Sequence, residues 1–233
     1  MEAPIFALDF AAANVNLGSS YLLVGTDSYL VDKVIETIKK KLKKKENIDT
    51  FIIYGDDVKS SELADILDTY TIFSSAKLVI LKNAEQLNKY ELKTLSSYFS
   101  SPSEIQSLAI ATEKIDLHNE SWKQIKAHST IINCESPRYG GAIRSWLDKS
   151  LKDMNKTMTI KAIEEFINRI ELDYYYAANE LNKLDLLTTG RNRITEEDVM
   201  KSLGTNRTGT LIDFYRKKKK KQEKQAIEAL EKM

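Results

Sequence analysis

The segment Gly25-Thr26-Asp27-Ser28-Tyr29-Leu30-Val31-Asp32 follows a short apolar run, Tyr21–Val24. A phosphate-binding loop of the form GxxxxGK[ST] would stand at this place, wrapping backbone amides and one lysine around phosphate oxygens. The first glycine, Gly25, is present, but Leu30-Val31-Asp32 replaces the Gly-Lys-Ser/Thr half. Loss of the lysine removes the main charge complement to phosphate, and Asp32 adds repulsion. Gly25 can equally be read as a plain strand-to-helix turn. On either reading tight ATP binding is not expected. A second position agrees: the run Leu78–Leu81 ends in Lys82-Asn83. A nucleotide hydrolase usually places Asp-Glu there, to hold magnesium and orient water.

No other constellation offers chemistry. The chain has one cysteine, Cys134, and two histidines, His118 and His128, too few for a Cys/His zinc site. Cys134 reads as a small buried hydrophobe in the run Ser129–Cys134. There is no GxSxG elbow, and Asp56-Asp57 and Glu164-Glu165 read as surface pairs. No catalytic residue, metal or cofactor is expected. The 233 residues are 42% hydrophobic and 30% charged, an ordinary globular balance. A net charge of +1 argues neither for nor against nucleic acid. The lone cysteine fits a reducing compartment. No apolar run reaches the ~18 residues of a membrane span, and no signal peptide is read at the N-terminus.

The elements that would position these residues change character along the chain. In the first part, strand candidates Tyr21–Val24, Thr50–Tyr54, Lys77–Leu81, Ser107–Ala111 and Ser129–Cys134 are nearly continuous in apolarity. Strands covered by helices on both faces read this way. Between them lie amphipathic runs with apolar residues three to four apart: Leu30, Val34, Ile35, Ile38, Leu42; then Leu63, Ile66, Leu67; then Leu87, Leu92, Leu95, Phe99. Strand–helix alternation implies a five-stranded parallel sheet with flanking helices. From about Arg138 no strand-like run returns. Three amphipathic helices, around Trp146, Phe166 and Leu181, precede a Thr195–Asp198 capping box and a short helix to Leu203. Three regions are expected: an α/β domain over 1–136, a helical lid domain over 137–206, and the start of a further helical domain over 207–233.

Two surface features stand out. Tyr70 to Leu87 opens with an apolar pair, Ile72-Phe73, inside a polar turn of Tyr70, Thr71, Ser74 and Ser75. Phe73 could tuck beneath the sheet or grip a partner, and the pattern alone leaves both open. Lysine clusters at 39–45 and 217–221 read as solvated helix ends rather than phosphate contacts.

YLLVGTDSYLVDK (21–33), IFSSAKLVILKNAEQL (72–87), LAIATEKID (108–116), the Arg144–Leu147 helix, ANELNKL (178–184) and RITEEDV (193–199) occur in an order and spacing that resembles the delta subunit of the bacterial DNA polymerase III clamp loader. The resemblance spans residues 21 to 215. It implies an AAA+-like fold: a P-loop-type α/β domain, a helical lid, and a helical collar of which this chain would hold only the beginning. It implies no catalytic activity of its own, within a DNA-directed DNA polymerase holoenzyme. The implied partners are the beta sliding clamp, the tau/gamma ATPase and delta-prime subunits, and primed DNA through the complex, with no membrane, in the bacterial cytoplasm. The family's clamp-binding hydrophobic pair falls on Ile72 and Phe73, flanked by Tyr70 and Thr71. The degenerate nucleotide site would comprise Gly25, Leu30, Val31, Lys82, Asn83, Thr112 at the first sensor position, and Tyr175 in place of the lid arginine. Two competing readings remain. An active ATPase is disfavoured by Lys82-Asn83. A nucleic-acid-binding or scaffold adaptor without clamp binding would use the lysine clusters.

Overall fold

A computed structural model describes residues 3–44, 46–69, 74–136, 140–170 and 173–203. The chain divides into two compact units, Met1–Ser136 and Pro137–Met233.

The first unit is built on a parallel sheet. Its strands are β1 (Ile5–Phe6), β2 (Ser20–Val24), β3 (Ile48–Tyr54), β4 (Ala76–Lys82), β5 (Gln106–Thr112) and β6 (Thr130–Asn133). Their spatial order is β1-β6-β2-β5-β4-β3. Helices α1 (Ser28–Lys43), α2 (Ser60–Asp68), α3 (Lys89–Tyr98) and α4 (Glu120–Ala127) supply the crossovers. Every residue of β5 is buried, as is all of β4 except Lys82. That double-sided burial is the physical origin of their unbroken apolar sequence.

The sheet has six strands rather than five. The added strand, β1, is two residues long and pairs with Ile132 and Asn133 of β6. Two residues are too few to show any periodicity. The Tyr21 side chain secures this N-terminal segment. Its hydroxyl accepts from the Asn16 amide at 2.9 Å, and its ring meets Phe10 edge-on.

The two sides of the sheet are packed differently. Leu22, Val79, Leu81, Leu108 and Ile110 join Leu63, Leu92, Leu95 and Trp122 in one core cluster, so α2, α3 and α4 cover this face. Helix α1 buries Leu30, Val34, Ile35, Ile38 and Leu42, the predicted stripe. Asp27 caps it, its carboxylate accepting from the Leu30 amide at 3.1 Å. Asn88 and Glu91 form a reciprocal capping box at the start of α3.

The second unit is mainly helical: α5 (Gly140–Asp153), α6 (Ile160–Arg169), α7 (Tyr174–Leu187) and α8 (Glu196–Ser202). Ile143, Trp146, Leu147, Phe166, Tyr174, Ala177, Leu181 and Leu184 are buried in it. Contrary to the sequence reading, it also holds a strand pair, β7 (Thr157–Met158) with β8 (Arg193–Ile194). Each strand is two residues long and has no alternation to betray it.

Thr195 and Asp198 form the expected capping box at α8. Arg191 donates to Asp198 at 2.9 Å, and the Thr195 amide and hydroxyl also donate to it. The Arg191 guanidinium first, then the Thr195 groups, hold the Asp198 carboxyl down at about 2. A depressed carboxyl contributes stability that is fully present above the ordinary carboxylate range. That stability is lost as pH falls through the folded value. Asp198→Asn is therefore expected to destabilise this unit by about 1 kcal/mol at neutral pH. In denaturant melts at falling pH, the gap to wild type should close near pH 2.

Candidate functional site

Most of the residues read from the sequence as a degenerate nucleotide site lie at the carboxyl ends of β2, β4 and β5, the edge where parallel α/β sheets bind ligands. Only Gly25, Thr26 and Asp27 separate β2 from α1. The Gly25 amide donates to the Thr112 carbonyl at 3.0 Å, and the Asp27 amide to the Cys134 carbonyl at 3.0 Å. The Cys134 amide donates back to Val24 at 2.7 Å. These bonds draw the turn tightly between β5 and the end of β6, so two amides that a phosphate cradle would present are committed to the fold. Gly25 has φ +148°, and a Cβ there would lie 2.2 Å from the Cys134 carbonyl carbon. The glycine is required by the turn itself.

Around this turn, Gly25, Val31, Lys82, Asn83 and Thr112 line one cleft of about 220 Å³. Pockets for nucleotide-sized ligands usually run to about 300–1,000 Å³. Lys82 Nζ sits 2.7 Å from Asp32 Oδ1, an ion pair joining the end of β4 to α1. Glu85 and Glu113 add two further carboxylates to the lining. A lysine thus stands where magnesium-binding carboxylates would be, and it is neutralised by the aspartate in the loop-derived helix. Thr112 is buried, and its hydroxyl donates to the Lys114 carbonyl at 2.9 Å. Asn83 adopts a left-handed conformation, with φ 56°. Leu30 is fully buried in the core, not in the cleft. Tyr175 is half-exposed on α7 in the second unit.

Cys134 is fully buried at the floor of the turn. Burial, reinforced by the Asp27 carboxylate, pushes its thiol up to about 12. Only the thiolate reacts. Cys134 is accordingly expected to resist a thiol-titrating disulfide reagent at about pH 8 in the native chain. One equivalent should react at once in denaturant.

Ile72, Phe73, Tyr70 and Thr71 lie outside the described residues, as do 204–233, including Lys217 to Lys221. The residues that flank 70–73 are tied down on both sides. On the α2 side, the Lys77 ammonium donates to the Ile66 carbonyl and to the Thr69 carbonyl, the latter at 2.9 Å. It lies 5.1 Å from the centroid of the Phe51 ring. Lys77 is buried at the start of β4, where desolvation lowers its pKa against the opposing pull of Asp68 and Asp49. On the β4 side, Ser74 Oγ donates to Asp49 at 2.8 Å and Ser75 Oγ to Glu46 at 2.6 Å. This segment precedes β4, so its stem is at the opposite end of the sheet from the cleft. The sequence reading missed Lys77 and the Lys82–Asp32 pair. The only sequence signal for Lys77 is a charged residue opening an apolar strand.

Residues 21–135 match the family model described as DNA polymerase III, delta subunit. The match lies within the first unit. Sequence comparison with the curated proteins finds no match. Among solved structures, the chain resembles the Bacillus subtilis DNA clamp loader delta protein, with a TM-score of 0.68 at 18% identity, over 91% of this chain and 66% of that one. It also resembles a point mutant of Thermotoga maritima RuvB, with a TM-score of 0.53 at 17% identity, over 79% of this chain and 61% of that one. These likenesses establish the fold: an AAA+-like parallel α/β unit followed by a helical unit. The chain spans just under two thirds of the length of the delta protein it resembles.

Proposed function

We propose that this chain is a non-catalytic clamp-loader subunit that grips and opens a ring-shaped sliding clamp, so that the ring can be placed on primed DNA. The observation that carries the non-catalytic half is the Lys82–Asp32 ion pair at the cleft. It stands where an active relative would keep the groups that bind magnesium and phosphate. What supports the clamp-binding half is the family and the position of Ile72-Phe73 between two anchored stems, Thr69 and Ser74. Tyr70 and Thr71, which precede the pair in the sequence, share in this contact. Its partners are the beta clamp, the tau/gamma ATPase and the delta-prime subunit, and it meets DNA through the assembly in the cytoplasm. Among the described residues no helix is long and apolar enough to cross a membrane.

The mechanism is differential binding. A ligand shifts an equilibrium only by the difference between its affinities for the two states. The tip therefore binds a strained or opened clamp interface better than a closed one, and destabilising the ring needs no nucleotide from this subunit. The test is release of a labelled clamp from closed circular DNA, with and without this chain, in the absence of ATP. Faster release is expected. Tight clamp binding with an unchanged release rate would contradict ring opening by this chain.

A further inference from the structure

Lys77 and Gln106 are register partners at the starts of β4 and β5, the opposite end of the sheet from the cleft. Both line a pocket of about 230 Å³ bounded by α2, α3 and the segment that leads into β5. Each is only 3% exposed. Polar side chains so deeply buried normally find their hydrogen bonds and counter-charge within the fold. These two do not.

The Gln106 amide nitrogen is buried and has no hydrogen-bond partner among the described residues. The Tyr98 hydroxyl beside it accepts from the Ser103 amide at 3.1 Å. The Lys77 ammonium commits two of its three protons to the Ile66 and Thr69 carbonyls. Among the described residues it makes no ion pair, and Asp68 and Asp49 act on it only at longer range. Leaving a buried donor unmade costs its full desolvation, and a buried cation without a counter-charge costs more. An apolar side chain at position 106 would fill the space without that cost. Two such groups side by side are what the oxygens of a ligand would satisfy.

The pocket is rich in donors. Gln106, Lys77 and the Tyr98 hydroxyl each have a proton to give. The Thr94 and Ser97 hydroxyls donate instead to carbonyls of their own helix, Tyr90 at 3.1 Å and Thr94 at 2.8 Å. Asp68 is the one carboxylate among the described lining residues, and it is exposed, where water screens it. Leu67 and Ile105 give the pocket an apolar wall. Its volume is below the ~300–1,000 Å³ of drug-sized ligand sites, so the occupant is small.

We propose that this pocket binds a small organic carboxylate. Its oxygens accept from Gln106 and Tyr98 beside the Lys77 ammonium, and its short carbon chain lies against Leu67 and Ile105. Hydrogen bonds to an ionised acceptor are about twice as strong as those between neutral groups. Inorganic phosphate matches the charge but has no carbon chain for the apolar wall. A carboxamide of the same length has the chain but not the charge.

The test is a titration of the whole isotope-labelled chain with butyrate, followed through the Gln106 side-chain amide in nitrogen–proton correlation spectra. Those signals are identified by their loss in Gln106→Leu. A saturable shift in the millimolar range is expected. Butyramide and inorganic phosphate should each bind roughly tenfold more weakly. Saturation transfer from the protein to butyrate should vanish in Gln106→Leu. That variant should melt no lower than wild type, because it removes a donor that the fold leaves unpaired. Ser97→Phe, at an exposed position of α3 on the pocket wall, should block binding without lowering the melting temperature. Gln106 signals indifferent to butyrate would overturn the proposal. So would butyramide or phosphate binding as well as butyrate, Gln106→Leu melting well below wild type, or Ser97→Phe binding butyrate unimpaired.

Discussion

Replacing Ile72 and Phe73 together by serine is expected to abolish clamp binding while leaving the melting temperature of the chain unchanged. Buried aromatic or aliphatic anchors at interface centres are often worth ~2–4 kcal/mol each. Losing two would weaken binding by roughly a thousandfold or more, on the conversion of about 1.4 kcal/mol per factor of ten. The expectation of unchanged stability rests on the stem. Lys77 holds Ile66 and Thr69, and Asp49 and Glu46 hold Ser74 and Ser75, so both ends of the segment are anchored by residues outside 70–73. If Phe73 instead belonged to the core, its truncation would cost about 3–5 kcal/mol. For a chain of this size that is a fall of roughly 10 °C in melting temperature. Thermal melts beside binding isotherms therefore separate a gripping tip from a core residue.

Gly25→Ala is expected to be the most damaging single substitution in the turn between β2 and α1. The added Cβ would meet backbone atoms of Cys134 and Glu135 at 2.2 to 2.6 Å, and backbone cannot rotate away as a side chain can. Relief requires moving the end of β6 or the start of α1. Both are tied by the bonds from Cys134 to Val24 and from Asp27 to Cys134. A cost above about 3 kcal/mol is expected, beyond the usual range for point substitutions. In an active phosphate loop, a glycine-to-alanine change would be sought in nucleotide affinity. Here it should be sought in stability, by chemical denaturation. A Gly25→Ala chain as stable as wild type would show that the turn can relax, and would remove the argument that it is purely structural.

The first unit was legible because its signals are long. Five of its strands are at least four residues long and centred on apolar residues, and α1 carries its stripe of Leu30, Val34, Ile35, Ile38 and Leu42 unbroken. The elements that escaped, β1, β7 and β8, are two residues each, and their pairing is decided by distant partners such as Ile132 and Arg193. The absence of a Gly-Lys-Ser/Thr half at Leu30-Val31-Asp32 was visible in the residues themselves. What fills its place was not, since Lys82 and Asp32 lie fifty residues apart and only the sheet order brings them to 2.7 Å. Leu30 occupies a loop-motif position in the sequence, yet the helix that Asp27 caps turns it into the core. Lys77 was hidden for the same reason. Its partners are main-chain carbonyls at α2, which no side-chain pattern reveals.

The most direct test of the central claim is isothermal calorimetry of this chain against a bacterial beta clamp, without nucleotide, with Phe73→Ala alongside. Tight binding by wild type that fails in Phe73→Ala, with both proteins equally stable, is the predicted result. Equal binding by the two chains would contradict the tip at residues 70–73. No binding by wild type would contradict clamp gripping itself.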